Sequence, residues 1–250
     1  MTYIPISPKE RDAMLEKIGV KALDDLFKDV PVKHRFPELD LPPALTEMEA
    51  AAHLADMASS NDSVREHLIS FLGAGAYNHY TPAVVDHILR RGEFYTAYTP
   101  YQPEVSQGTL QAMFEYQSLV AALTGMEVSN ASHYDGATAT AEAGILAYHH
   151  FRGKRSRFIV SPAIHPDYRG VLKTYMSGFE GVSVIGDEAD SPFADPSDLE
   201  KLIDSNTALV VVQYPDFFGR IYDYTALANA AHAVGALFCV AVNPTALGLL

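Results

Sequence analysis

Apolar and polar positions follow two different patterns, and the change falls near Arg157. Before it, apolar residues recur at helical spacing between polar, proline-rich stretches; after it, short β-branched runs alternate with helical ones. Ser7-Pro8-Lys9-Glu10 joins an N-cap, a first-turn proline and a glutamate at the third helical position, and it predicts a helix ending near Gly19. A short helix over Ala22–Phe27 follows. Val30–Pro43, with four prolines and little periodicity, reads as an extended arm. Thr46-Glu47-Met48-Glu49 is a second capping box, opening a helix that ends near Asn61. Residues 1–65 thus read as a helical N-terminal arm and 66–250 as the main domain.

The middle of the chain holds two polar segments, each leading into a helix. In the first, Tyr95, Tyr98 and Tyr101 stand around Pro100 and Pro103, which keep the segment out of helix and sheet. Ser106 then reads as the N-cap of a helix whose apolar stripe runs Leu110, Met113, Phe114, Leu119, Val120 and Leu123, with Gly125 closing it. In the second, a short strand over Val128–Asn130 approaches Ser132-His133-Tyr134-Asp135-Gly136-Ala137-Thr138, and an alanine-rich helix runs from about Thr138 to Phe151. A small-residue turn at a helix N-terminus suits a phosphate or carboxylate. The same residues equally describe an ordinary helix capped by Asp135 or Thr138.

Beyond Arg157, strands are expected at Phe158–Val160, Val182–Ile185, Ala208–Val212 and Leu237–Val242. Helices are expected at Asp167–Met176, Pro196–Ile203 and Tyr224–Val234, the second opened by Asp195-Pro196. This alternation predicts an α/β fold, a mostly parallel sheet with helices on both faces. Sites in such sheets lie at the carboxyl ends of strands, here the turns after Asn130, Val160, Val212 and Val242. His165, in the turn after Val160, is placed to stack on a planar ring or move a proton, or to be bonded to backbone.

Charge and composition narrow the partners. A net charge of −13, with Arg152–Arg157 as the one dense basic cluster, argues against nucleic acid or an anionic membrane surface. No apolar run reaches membrane-span length, and the start of the chain lacks the pattern of a secretory signal, so a cytoplasmic protein is expected. The single cysteine, Cys239, lies in an apolar run and reads as an inert buried thiol. None of the ten histidines has metal-ligand spacing, so no metal is expected. Phe71-Leu72-Gly73-Ala74-Gly75-Ala76-Tyr77 has two of the three glycines of a dinucleotide fingerprint but Asn78 follows and the next helix starts too late, so no Rossmann cofactor site is expected, while a glycine-rich loop near a site stays open. The apolar ending Asn243–Leu250, directly after a strand, leads us to expect the N-terminal portion of a longer polypeptide.

Tyr98–Ala143, YTPYQPEVSQGTLQAMFEYQSLVAALTGMEVSNASHYDGATATAEA, closely resembles the glycine decarboxylase family, the P-protein of the glycine cleavage system. The opening YIPISPKERDAMLEKIG, the segment FLGAGAYNHYTPAVV and the ending NPTALGLL are similar too, so the resemblance runs over essentially the whole chain. It is to the N-terminal half of that enzyme, or to the alpha subunit (subunit 1) where the enzyme is split. The resemblance implies the fold type I architecture of pyridoxal-phosphate enzymes. It also implies an activity in which glycine loses its carboxyl group as carbon dioxide and the aminomethyl remainder passes to the lipoyl group of the H-protein. In the family the lysine that holds pyridoxal phosphate belongs to the C-terminal half or beta subunit, and an alpha2beta2 heterotetramer is implied. Lys9, Lys17, Lys21, Lys28, Lys33, Lys154, Lys173 and Lys201 all lie away from the strand-end turn where that lysine would stand. Asn243 falls where fold type I enzymes carry an aspartate against the pyridine nitrogen, and an amide supplies no such charge.

Position by position, the resemblance makes Tyr98, Tyr101, Gln102, Glu104 and Gln107 candidates for lining a shared active site. Ser132, Tyr134, Asp135, Gly136 and Thr138 match the family's phosphate-side loop, with His165 as a further cofactor contact. Two alternatives stay open: a self-sufficient pyridoxal-phosphate decarboxylase or aminotransferase, and a non-catalytic scaffold subunit.

Overall fold

The computed structural model describes residues 6–64, 67–96, 98–187 and 195–249, which fall into two compact units, 6–69 and 70–249. The first unit holds α1 (Pro8–Ile18) and α2 (Glu47–Ser59). Both open with the capping boxes read from sequence: Glu10 accepts from the backbone N–H of Ser7 at 2.9 Å, and Glu49 from that of Thr46 at 2.8 Å. Gly19 ends α1 at φ 85°, a left-handed turn that glycine enters without a Cβ penalty. The expected second helix is a single 3-10 turn over Leu23–Phe27, and the arm after it contains another at Val32–His34.

The second unit begins with α3 (Ala83–Leu89), α4 (Gly92–Tyr95), α5 (Gln107–Thr124) and α6 (Gly136–His150). Val128–Asn130 is not a strand. Among the described residues no strand pairs with that segment; it is tied instead to α5, where the Gln117 amide donates to the Ser129 carbonyl at 2.6 Å. The sheet follows as β1 (Arg157–Val160), α7 (Pro166–Met176), β2 (Ser183–Ile185), α8 (Pro196–Glu200), β3 (Thr207–Tyr214), α9 (Thr225–Ala233) and β4 (Leu237–Val242). Strand order is β2-β1-β3-β4, and every pairing is parallel. α8 is shorter than expected, stopping at Glu200 before Lys201 and Leu202 turn toward β3.

Strand alternation sends side chains to both faces of this sheet. Phe158, Val160, Leu209 and Val211 pack with Ala147, Leu172 and Met176 from α6 and α7. Ile159, Val210 and Val212 pack with Leu199, Leu227 and Ala231 from α8 and α9. Small residues make the α6 face possible: Ala137, Thr140, Ala141, Gly144 and Ala147 are buried, and a Cβ on Gly144 would lie 2.7 Å from Leu172 Cδ1. From β1 the chain steps outward to β2 and then crosses back past β1 to β3 on its other side, so the carboxyl ends of β1 and β3 form the switch point where such sheets bind ligands.

Candidate functional site

A cavity of about 550 Å³ opens at the carboxyl ends of β3 and β4. Its walls are the Ala74–Tyr77 backbone with His79, the His165–Tyr168 pair, Gln213 and Tyr214 at the end of β3, and Asn243 just past β4. Among the described residues no aspartate, glutamate, lysine or arginine lines it, and the lining they make is aromatic, amide, aliphatic and backbone.

His165 caps α7. Its Nδ1 accepts the Asp167 N–H at 3.2 Å, its backbone N–H donates to Gln213 Oε1 at 2.8 Å, and its Nε2 lies 3.1 Å from the Ala74 carbonyl. With Nδ1 accepting, the proton sits on Nε2 and donates to Ala74. The ring stacks on Tyr168 at 5.1 Å and meets the edge of Phe217 at 5.0 Å. Burial, then the nearby Asp135 carboxylate and Tyr77, push the Tyr168 phenol above its ordinary value. It stays protonated.

The turn before α6 is a helix cap. Asp135 Oδ1 accepts the Thr138 N–H at 2.7 Å and the Thr138 hydroxyl at 2.9 Å, and these bonds hold the carboxyl below the usual aspartate value. Ser132 has φ 78°, Tyr134 is 97% exposed, and Gly136 is pressed by the Tyr168 ring. Tyr98 and Tyr101 are 79% and 76% exposed, with ring centroids 6.1 Å apart, while Glu104 and Gln107 are also exposed. The fold therefore brings His165 into the cavity wall with Asn243, whereas Tyr98, Tyr101, Glu104 and Gln107 lie outside that wall. Asn243 Oδ1 is engaged by the Thr245 N–H and hydroxyl at 3.2 and 2.8 Å.

Three groups escaped sequence reasoning. Tyr77, His79 and Tyr168 line the cavity, and the signal available for them was only an aromatic cluster beside the glycine-rich loop. Asp216, in the strand-end turn after Val212, was given no role from sequence. Its buried carboxylate accepts the Phe218 and Arg220 N–H groups at 2.9 Å each and pairs with the Arg220 guanidinium at 2.7 Å, rigidifying the turn after β3. A D-x-x-x-R spacing just past a strand end is the visible trace. Among the described residues no helix is long and apolar enough to cross a membrane.

A parallel sheet with helices on both faces and a cleft at its carboxyl ends agrees with the fold type I architecture that the resemblance implied. The chain belongs to the glycine cleavage system P-protein family, whose model matches residues 1–250. It is 53% identical over 253 residues to the probable glycine dehydrogenase (decarboxylating) subunit 1 of Thermomicrobium roseum, and 50% identical over 249 residues to that of Geobacillus kaustophilus. Those matches cover 100% and 99% of this chain, which spans 55% of the length of each relative. The crystal structure of glycine decarboxylase (P-protein) of the glycine cleavage system, in inhibitor-bound form, superposes with a TM-score of 0.84 at 40% identity. That match covers 100% of this chain and 55% of the other. A sphingosine-1-phosphate lyase of Burkholderia pseudomallei shares the fold at a TM-score of 0.56 and 16% identity, over 84% of this chain and 51% of the lyase.

Proposed function

We propose that this chain is the alpha-type part of a cytoplasmic glycine decarboxylase, completing an active site whose pyridoxal phosphate is held by a lysine-bearing beta subunit (subunit 2). In the assembled enzyme glycine is decarboxylated and its aminomethyl group passes to the lipoylated H-protein, and an alpha2beta2 heterotetramer is the assembly we expect. The observation that carries this reading is the pairing of a family match across all 250 residues with a strand-end cavity that no lysine lines among the described residues.

The residues present do not fit pyridoxal phosphate. Among the cavity's lining residues no amine stands where it would bond the cofactor, and Asn243 offers an amide already engaged by Thr245. The Thr138 N–H at the start of α6, which a phosphate would take, is held by Asp135, whose negative charge repels an anion. We therefore place the cofactor on the partner and route no step through this cavity. What this chain contributes is the exposed segment before α5. Tyr98 and Tyr101 present two phenols, Glu104 a carboxylate and Gln107 an amide, a set able to bind and orient a small zwitterion and to hold a proton beside it. Ser132, Tyr134 and Asp135, with Gly136 and Thr138 in the first turn of α6, make the second segment, and we assign it to the subunit interface.

Substituting Tyr98→Phe and Glu104→Gln in the assembled enzyme tests this. Both positions are exposed, so assembly and folding should be retained while glycine-dependent turnover falls on the order of 10²-fold, the size of a lost acid–base group. Unchanged turnover with intact assembly would replace the shared-site reading with a scaffold.

A further inference from the structure

His165 and Tyr168 do more in this fold than cap a helix. Their stacked rings stand between two glycines that belong to different loops. A Cβ on Gly75 would lie 2.9 Å from His165 Cδ2 and Nε2, and a Cβ on Gly136 would lie 2.1 Å from Tyr168 Oη. Both contacts are closer than any side chain tolerates, so the sequence Gly75–His165–Tyr168–Gly136 is a continuous packed row from the glycine-rich loop to the first turn of α6. The loop needs such support. Gly73, Ala74 and Gly75 take φ values of 62°, 52° and 85°, three left-handed residues in succession, one of which carries a Cβ. Within the loop the Ala76 N–H donates to the Gly73 carbonyl at 2.9 Å; from outside, the His165 imidazole donates to Ala74.

We propose that His165 and Tyr168 are positioning residues, an internal stack that fixes the 73–77 loop, and with it Tyr77 in the cavity wall, to the N-terminal turn of α6. A disturbance at either loop should then be felt at the other through the two rings, although Gly75 and Gly136 lie in separate segments. The proposal does not depend on the reaction assigned above, because it concerns the geometry of this chain alone.

Amide hydrogen exchange on the full-length chain reads it directly. Gly136 has an ordinary helical backbone, so in Gly136→Ala the disturbance comes from the collision with Tyr168. We expect Ala76, whose N–H is bonded to Gly73, to exchange about five- to tenfold faster, the size of one lost hydrogen bond, while Val210–Val212 in the central strand keep their protection. In a Tyr168→Ala chain the same glycine substitution should add nothing, since its collision partner is gone. His165→Phe keeps a ring and loses both imidazole bonds, and should loosen the loop likewise; His165→Gln returns a side-chain N–H able to reach Ala74 and should restore most of the protection. This pair decides the matter if Gly136→Ala does not fold. Loop exchange unchanged in Gly136→Ala and His165→Phe, with the central strand intact, overturns the proposal. So does a His165→Gln chain that exchanges as fast as His165→Phe, or a Gly136→Ala effect that persists without Tyr168.

Discussion

The segment before α5 and the turn that opens α7 are both rich in aromatic and polar side chains, yet one is bare and the other locked. Tyr98 and Tyr101 touch each other and little else, and the backbone bonds of their segment, such as Tyr101 N–H to Thr99 and Ser106 N–H to Gln102, are local. His165 and Tyr168 are held by three different loops. The cause lies in what stands behind each helix. α7 rests on α6 through Leu172 and Met176, whereas α5, 18 residues long with Phe114, Leu119 and Leu123 at its surface, buries none of its residues. The sheet half of the unit is built to hold itself. The α5 half leaves its apolar side chains at the surface.

The sharpest way to break this contrast is to truncate one aromatic on each side of it. Phe158→Ala, at a fully buried position in β1, should cost about 3–5 kcal/mol of stability in a denaturant titration, while Phe114→Ala on α5 should stay within ~0.5 kcal/mol for the chain alone. Equal losses would show α5 to be part of the core. Next in size is Asp216→Ala, which removes the acceptor of the Phe218 and Arg220 N–H groups and the buried carboxylate that pairs with the Arg220 guanidinium, and should cost about 3 kcal/mol. Glycine substitutions sharpen the contrast within helices. Gly144→Ala drives a methyl into Leu172 and should lose roughly 1 kcal/mol, whereas Gly170→Ala, with open space around it on α7, should gain about 0.5–1 kcal/mol.

The smallest effect is alkaline. Burial, with Asp216 and Tyr222 nearby, pushes the Tyr224 phenol up to about 12. A raised phenol favours the folded state while it is protonated, so its contribution is complete below the unfolded value of about 10 and is lost as pH rises through about 12. Tyr224→Phe should flatten the fall in melting temperature across that window, and an unaltered slope would place the alkaline transition elsewhere.

What the sequence made legible was local. The capping boxes at Ser7 and Thr46, the Asp195-Pro196 start of α8 and the β-branched runs of the sheet each state their structure within a few residues, and all are present. Val128–Asn130 failed because Val-Ser-Asn holds a single apolar residue, and so short a segment becomes a strand only beside another strand. The Asp135 turn was legible as two alternatives, and the bond to Thr138 answers for the cap. The His165–Tyr168 stack was out of reach for a different reason: its partners, Ala74 and Gly136, are fixed by tertiary packing, and the His165–Ala74 bond spans 91 positions. No periodicity carries such a contact. The segment Tyr98–Gln107 was readable only through resemblance, since nothing in its spacing distinguishes a site from a solvated loop.

The central claim, that this chain lends residues to a cofactor held by its partner, is tested most directly by borohydride trapping of pyridoxal phosphate on the full-length chain alone and then mixed with its beta subunit. The prediction is an adduct on the partner only, with glycine-dependent carbon dioxide exchange in the presence of H-protein requiring both chains. A trapped adduct on this chain by itself would contradict it.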